Sequence, residues 1–256
     1  MISRREFVNS VSLWPLKPGN GAQALLRGVF PVLRPSYTVS KRLDLRTLAA
    51  EVISLNQRGA HGVVWSPSSR ELNLEESIAG AEIVMTAANC PVVLGAHGAN
   101  IEFTRRYARC AERLRPAAIL VSPPTGLNSM AERYRIVAGE CGVPMMAHAR
   151  PGVSVEFVLR MSREIPAVRL VMDTAGLTLS RISEYRRAAP HLTIFTGGHG
   201  RILPDALERG ASGVMPPAPF ARAYLQIWNS CLQGRRECAI AQLSQLAAQS
   251  CPSELA

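Results

Sequence analysis

Three of the five histidines in this 256-residue chain, His97, His148 and His199, come just after short apolar runs, and so does Asp173. Histidine titrates near neutral pH and is the commonest protein ligand for a metal, so its placement after apolar runs is a chemical signal. Two chemistries fit. The three imidazoles and the Asp173 carboxylate could converge on a divalent cation that polarises a carbonyl or activates water. Alternatively, His148 or His199 is a general base oriented by Asp173 or Glu71, while Arg150 clamps a substrate carboxylate. No two histidines share an i, i+2 or i, i+4 spacing, which favours the organic acid–base site, with no metal and no cofactor. A third reading is that these polar groups only satisfy loop backbone.

The elements that must position these residues repeat one phrase: apolar run, polar end, helix, glycine, next apolar run. Residues 28–33 read as strand one. Asp44 caps a helix whose apolar stripe is Leu45, Leu48, Val52 and Leu55 and whose stop is Gly59. Residues 62–65, 91–96, 117–121, 144–147, 168–172, 192–195 and 213–215 read as strands two to eight. Asn73 with Glu76 and Ser129 with Glu132 have capping-box spacing, Ser154 caps the helix after strand five, and an arginine-rich helix starts near Thr104. The strands are apolar throughout rather than alternating, which implies a parallel sheet covered on its outer face. A (β/α)8 TIM barrel is the economical solution, and no G-x-G-x-x-G follows strand one to favour an open doubly wound sheet.

A barrel gathers the residues after each strand at one mouth. Those are Arg34; Ser66, Ser68, Ser69 and Glu71; His97; Ser122 and Thr125; His148 and Arg150; Asp173 and Thr174; Thr196 and His199. His61 and His191 lie at the opposite ends of their strands and read as structural. The expected organisation is residues 25–219 as barrel, 220–256 as a short extension with helices at 220–232 and 239–248, and 1–24 apart from both.

The net charge is +10 and almost all arginine, Lys17 and Lys41 being the only lysines. A basic chain raises the question of nucleic acid. The arginines are spread over separate helices and aromatics are only 5%, so no stacking platform is interleaved with them and no nucleic-acid partner is expected. A hydrophobic content of 47% and mean hydropathy of +0.07 promise a real core. No apolar run reaches the roughly 18 residues of a membrane span, so no membrane partner is expected either. The six cysteines form no C-x-x-C pair and no zinc spacing and read as small buried hydrophobes. Ser3-Arg4-Arg5-Glu6-Phe7-Val8 resembles a twin-arginine export signal, and Ala22-Gln23-Ala24 offers a small-x-small cleavage site. The apolar region between them is short and broken by Asn9, Ser10, Ser12 and Pro15. A functional signal would place the protein in the periplasm; a chance arginine pair would leave it cytoplasmic.

The strand-two end, Trp65-Ser66-Pro67-Ser68-Ser69-Arg70-Glu71, resembles the G-T/S-T-G-E turn of the dihydrodipicolinate synthase/N-acetylneuraminate lyase (DapA-like) family. Leu120-Val121-Ser122-Pro123-Pro124-Thr125 resembles that family's V-x-T/S-P-Y-Y. Pro144 to Gly152 resembles P-x-x-x-Y-N-x-P-G, and Thr196-Gly197-Gly198 resembles S-G-D. The resemblance implies a barrel of the aldolase superfamily that works without a cofactor, usually as a homodimer or homotetramer. It also implies that Ser68 and Ser69 hold the carboxylate of a pyruvate-like 2-oxo acid, with Glu71 as the turn's acid and Arg150 and Thr196 beside them.

The resemblance breaks where the family's chemistry is concentrated. The Schiff-base lysine at the end of strand six is Met172, the proton-relaying tyrosine is His148, and the tyrosine pair after strand four is Pro124 and Thr125. A thioether cannot form an imine. The expectation is therefore a lyase-like barrel binding a 2-oxo acid, whose catalysis, carried by His148, Asp173 and His199, is independent of a Schiff base. The alternative is an inactive relative, a pseudoenzyme that binds 2-oxo acids or serves as a partner protein.

Overall fold

The structure, a computed structural model, describes residues 26–67, 72–96, 100–122, 127–176, 179–197 and 202–249. Within them the chain forms an α/β fold around one parallel sheet of nine strands. The strands are β1 (Gly28–Val29), β2 (Val32–Leu33), β3 (Val63–Trp65), β4 (Val92–Ala96), β5 (Ala118–Val121), β6 (Met145–Ala149), β7 (Val168–Asp173), β8 (Thr193–Thr196) and β9 (Gly213–Val214). Their order is β1-β9-β8-β7-β6-β5-β4-β3-β2. The first two segments thus stand at opposite ends of the order, yet only Phe30 and Pro31 separate them. Phe30 N donates to Val214 O at 2.9 Å, and Val64 N donates to Pro31 O at 2.9 Å. The sheet therefore curls until both ends meet on one length of chain.

Helices cover the outside. They are α1 (Leu45–Gln57), α2 (Leu74–Ala87), α3 (Ile101–Leu114), α4 (Leu127–Glu140), α5 (Val155–Glu164), α6 (Leu179–Ala188), α7 (Leu203–Glu208), α8 (Ala221–Leu232) and α9 (Arg236–Gln249). Short polar side chains start several of them, as the sequence suggests. Asp44 Oδ1 accepts from Arg46 N and Thr47 N, Asn73 Oδ1 accepts from Glu76 N, and Ser154 Oγ accepts from Phe157 N. Two expectations need correction. Glu76 does not turn back to close a capping box; its Oε1 accepts from Leu43 N and ties down the loop ahead of α1. Helix α4 starts at Leu127, so Ser129 lies inside it rather than at its cap.

Alternation along each strand sorts the core into layers. Val63, Trp65, Val92, Leu94, Ile119, Val121, Met145, Ala147 and Ile194 face the helices. Phe30, Val64, Val93, Leu120, Met146, Leu170, Met172, Phe195 and Met215 fill the inside of the curl. Val29 and Val214 are covered by Tyr224, Leu225, Ile227 and Trp228 of α8 together with Ala239 and Leu243 of α9.

The arginine surplus is partly spent between neighbouring helices. Arg106 reaches Glu75 at 3.4 Å, Arg109 reaches Glu140 at 2.7 Å and Arg135 reaches Glu164 at 2.9 Å, stitching α2 to α3, α3 to α4 and α4 to α5. Such exposed pairs contribute roughly 0–1 kcal/mol each and mainly fix which helix faces which.

Closure needs a glycine at 213. A Cβ there would lie 2.1 Å from the Gly28 carbonyl oxygen and 2.6 Å from Phe195 Cε1, and backbone cannot step aside as a side chain can. Gly213→Ala is expected to lower stability in urea denaturation by about 3 kcal/mol, the upper range for overpacking.

Candidate functional site

The C-terminal ends of the strands form the mouth of the curl, and His148, the fourth residue of β6, stands in it. Met146 on the same strand faces inward, so two residues on His148 faces inward as well. Its register partner across the sheet is Met172 of β7. Both ring nitrogens are engaged: Nδ1 lies 2.6 Å from Ser122 Oγ, at the end of β5, and Nε2 lies 3.0 Å from Thr174 Oγ1, just past β7. Thr174 Oγ1 in turn donates to Ala149 O at 3.4 Å. Three consecutive strands thus each supply one member of a hydrogen-bonded chain. Burial, with the Arg150 charge beside it, pushes the imidazole down to about 4. His148 is therefore neutral at physiological pH.

Arg150 follows two residues later, partly buried. Neither it nor the exposed Arg34, at the end of β2, makes an ion pair with a described residue. Ser66, past β3, is also partly buried at the mouth. Positive charge without a matching carboxylate suits an anionic ligand.

Met172 belongs to the inner apolar cluster and is 8% exposed. Gly197, at the end of β8, makes room for it. A Cβ at 197 would meet Thr174 Cγ2 at 2.2 Å and Met172 Cε at 3.1 Å, so only glycine lets β8 close against both side chains.

Asp173 must be reassigned. Its carboxylate does not join His148; it faces the helices. Oδ2 accepts from Arg181 Nε at 2.8 Å and from the Tyr185 hydroxyl at 3.0 Å, both on α6, while Oδ1 accepts from Ala175 N at 3.1 Å. Arg181 also donates to Val153 O at 3.0 Å. Burial and the Asp173 charge push the Tyr185 hydroxyl up, which keeps it protonated as a donor. The physical reason is a bulge. The β6–β7 register pairs Met145 with Val168 but Met146 with Leu170, skipping the exposed Arg169. Past that extra residue, Leu170 and Met172 face inward and Val171 and Asp173 outward. Thr196 needs the same correction: Phe195 faces inward, and Thr196 is buried on the other face, with Oγ1 3.5 Å from Gly213 O.

Asp173 does not share a face of the sheet with His148, so that carboxylate and that ring do not meet at one ion. Among the described residues no three potential ligands converge. Ser68, Ser69, Glu71, His97, Thr125 and His199 lie outside the described residues. Ser122 and Thr174 were legible as strand-end residues but without roles. The signal that could have paired them with His148 is strand order, since strands four, five and six of the sequence reading are neighbours.

No family model matches the chain. Among curated proteins it is similar to the 4-hydroxy-tetrahydrodipicolinate synthase of Methanosphaerula palustris, 25% identical over 212 residues covering 76% of this chain and 72% of that one. Among solved structures it is similar to the sialic acid aldolase of Ruminococcus gnavus, with TM-score 0.79 and 18% identity over 87% of this chain and 79% of that one. That aldolase also matches in a form described as its catalytic lysine mutant. A dihydrodipicolinic acid synthase-family prophage protein of E. coli K12, solved in complex with pyruvate, matches with TM-score 0.78 and 20% identity over 88% and 81% of the two chains.

The lowered basicity of His148 has a signed consequence. Between pH 6.5 and 4 an unfolded histidine binds a proton that the folded site refuses, so stability is full above that window and falls as pH drops through it. The loss is on the order of 3 kcal/mol. His61, also depressed by burial, contributes in the same direction. Urea denaturation across this range should therefore be steeper for the native protein than for His148→Gln, the difference isolating His148.

Proposed function

We propose that this chain, whose sequence and structural matches all point to the dihydrodipicolinate synthase/N-acetylneuraminate lyase family, binds a small pyruvate-like 2-oxo acid at its mouth and that any lyase chemistry it performs there is independent of an imine. In this reading the fold is a (β/α)8 barrel. β1 and β2 count as one interrupted strand, and α8, packed on Val29 and Val214, supplies the eighth helix; α9 alone remains as the extension. The observation that carries the reading is the pairing of Met172 with His148 on the inner face, beside an Arg150 that no described carboxylate matches.

The similar R. gnavus aldolase has a catalytic lysine by its description, and the similar E. coli protein holds pyruvate. Imine formation needs a primary amine aimed at the oxo carbon, and a thioether has no such nitrogen. Lys41, in the loop after β2, is exposed and held at a left-handed φ of 59° by the turn, so it is no substitute. What the mouth retains is recognition. Arg150, with Ser68 and Ser69 of the turn that Glu71 closes as its acid, takes the carboxylate. Ser122, His148 and Thr174 line the other side, and assembly into dimers or tetramers completes the reading.

A second reading, a 2-oxo acid binding or partner protein without turnover, is favoured by one observation: both nitrogens of His148 are already satisfied inside the protein. Both readings share a test. Borohydride added with pyruvate should leave the intact mass unchanged, and a trapped adduct on any residue would overturn the imine-free reading. In a thermal-shift screen, 2-oxo acids should raise Tm, with the shift lost in Arg150→Ala and in Ser68→Ala/Ser69→Ala. Unchanged shifts in both variants would place the ligand elsewhere.

A further inference from the structure

Ser122, His148 and Thr174 form a directional chain, and its direction can be read from its far end. Ala149 O can only accept, and it lies 3.4 Å from Thr174 Oγ1, so the threonine hydrogen has a place there. Thr174 Oγ1 then accepts from His148, which puts the ring hydrogen on Nε2 at 3.0 Å. Nδ1 is left with its lone pair, and 2.6 Å away Ser122 Oγ has the hydrogen to give it. The ring has no nitrogen left to meet a ligand directly. The polar atom of this chain that can do so is the serine oxygen, at the strand end and partly exposed.

A nucleophile or proton carrier, a base within hydrogen-bond reach and a third group orienting the base make a recognised catalytic arrangement. Asp173, next to Thr174 in sequence, faces the helices, so the orienting group here is a neutral hydroxyl. Arg150 adds a positive charge on the same side.

We infer that Ser122 Oγ exchanges a proton with the carbon next to the carbonyl of a bound 2-oxo acid, with His148 Nδ1 as the base behind it and Thr174 as the residue that positions the ring. This rests on the binding reading above. In the step, the C3–H bond breaks and its proton forms a new O–H bond on Ser122, while the original Ser122 hydrogen moves to Nδ1, giving an imidazolium that this site holds only while the negative charge of the enolate offsets it. The C–H electron pair becomes the C2–C3 double bond, and the carbonyl pair moves onto oxygen as an enolate near Arg150. The reverse step returns a hydrogen to C3, so in heavy water the acid loses its C3 protons one by one. No oxidant, metal or imine is needed.

The test is the methyl signal of pyruvate in D2O, followed by proton NMR with the full-length protein and EDTA present. Protein-dependent loss of that signal, about a hundredfold or more slower with Ser122→Ala and His148→Gln, is the expected result. Ser122→Thr keeps the hydroxyl and should retain exchange. Nitrogen-15 NMR should show His148 as the Nε2–H tautomer, and Thr174→Val should abolish that single-tautomer signature, a change that loss of packing alone would not produce. If pyruvate raises Tm but no exchange occurs, or if Ser122→Ala exchanges at the native rate, the relay is overturned while binding stands. If pyruvate gives neither stabilisation nor exchange, the binding reading falls and takes the relay with it.

Discussion

The candidate site depends on one irregularity in the β6–β7 register, the residue skipped at Arg169. Side chains alternate between faces with a period of two, so one extra residue exchanges everything beyond it. Without it, Met172 would face the helices and Asp173 would face the interior. With it, the thioether completes the apolar lining, and the carboxylate meets Arg181 and Tyr185 in the outer layer. A buried carboxylate left without partners would cost several kcal/mol, so the bulge and the α6 residues must occur together.

That outer cluster serves the mouth from behind. Arg181 joins Asp173 to Val153 O, and Asp173 also holds Ala175 N. The loop after β6, which begins with Arg150, and the loop after β7, which begins with Thr174, are thereby fastened to one helix. His148 is thus framed on both sides by segments that a single ion pair keeps in place. Placing the ionic group behind the sheet and neutral hydroxyls in front leaves Arg150 as the charge beside the imidazole.

The sequence made most of the architecture legible, because each strand is a continuous apolar run and Asp44, Asn73 and Ser154 cap helices where their spacing says they should. The same continuity hid the facing of residues. In Val168-Arg169-Leu170-Val171-Met172-Asp173 the skipped residue is the lone interior charge, Arg169, and past it there is no polar alternation to reveal which side is in. Asp173 and Thr196 were misplaced for that reason. His148 and Met172 stand near the ends of their strands, but the hydroxyls that clamp the ring come from strands on either side of it. Their meeting follows from strand order and not from any local motif.

The interrupted first strand also governs how the molecule can be made. Gly28–Val29 waits for β9, while Val32–Leu33 pairs with β3, so one short segment needs one partner close by and one far along the chain. During synthesis the β2 half can dock early, but the β1 half has no partner until the last strand and the helices that cover it have been made. Ring closure is then a late, long-range event, and until it happens β1 and β9 both present open edges. The glycine contact between residues 28 and 213 is in this sense a clasp that fastens only after β9 has been made.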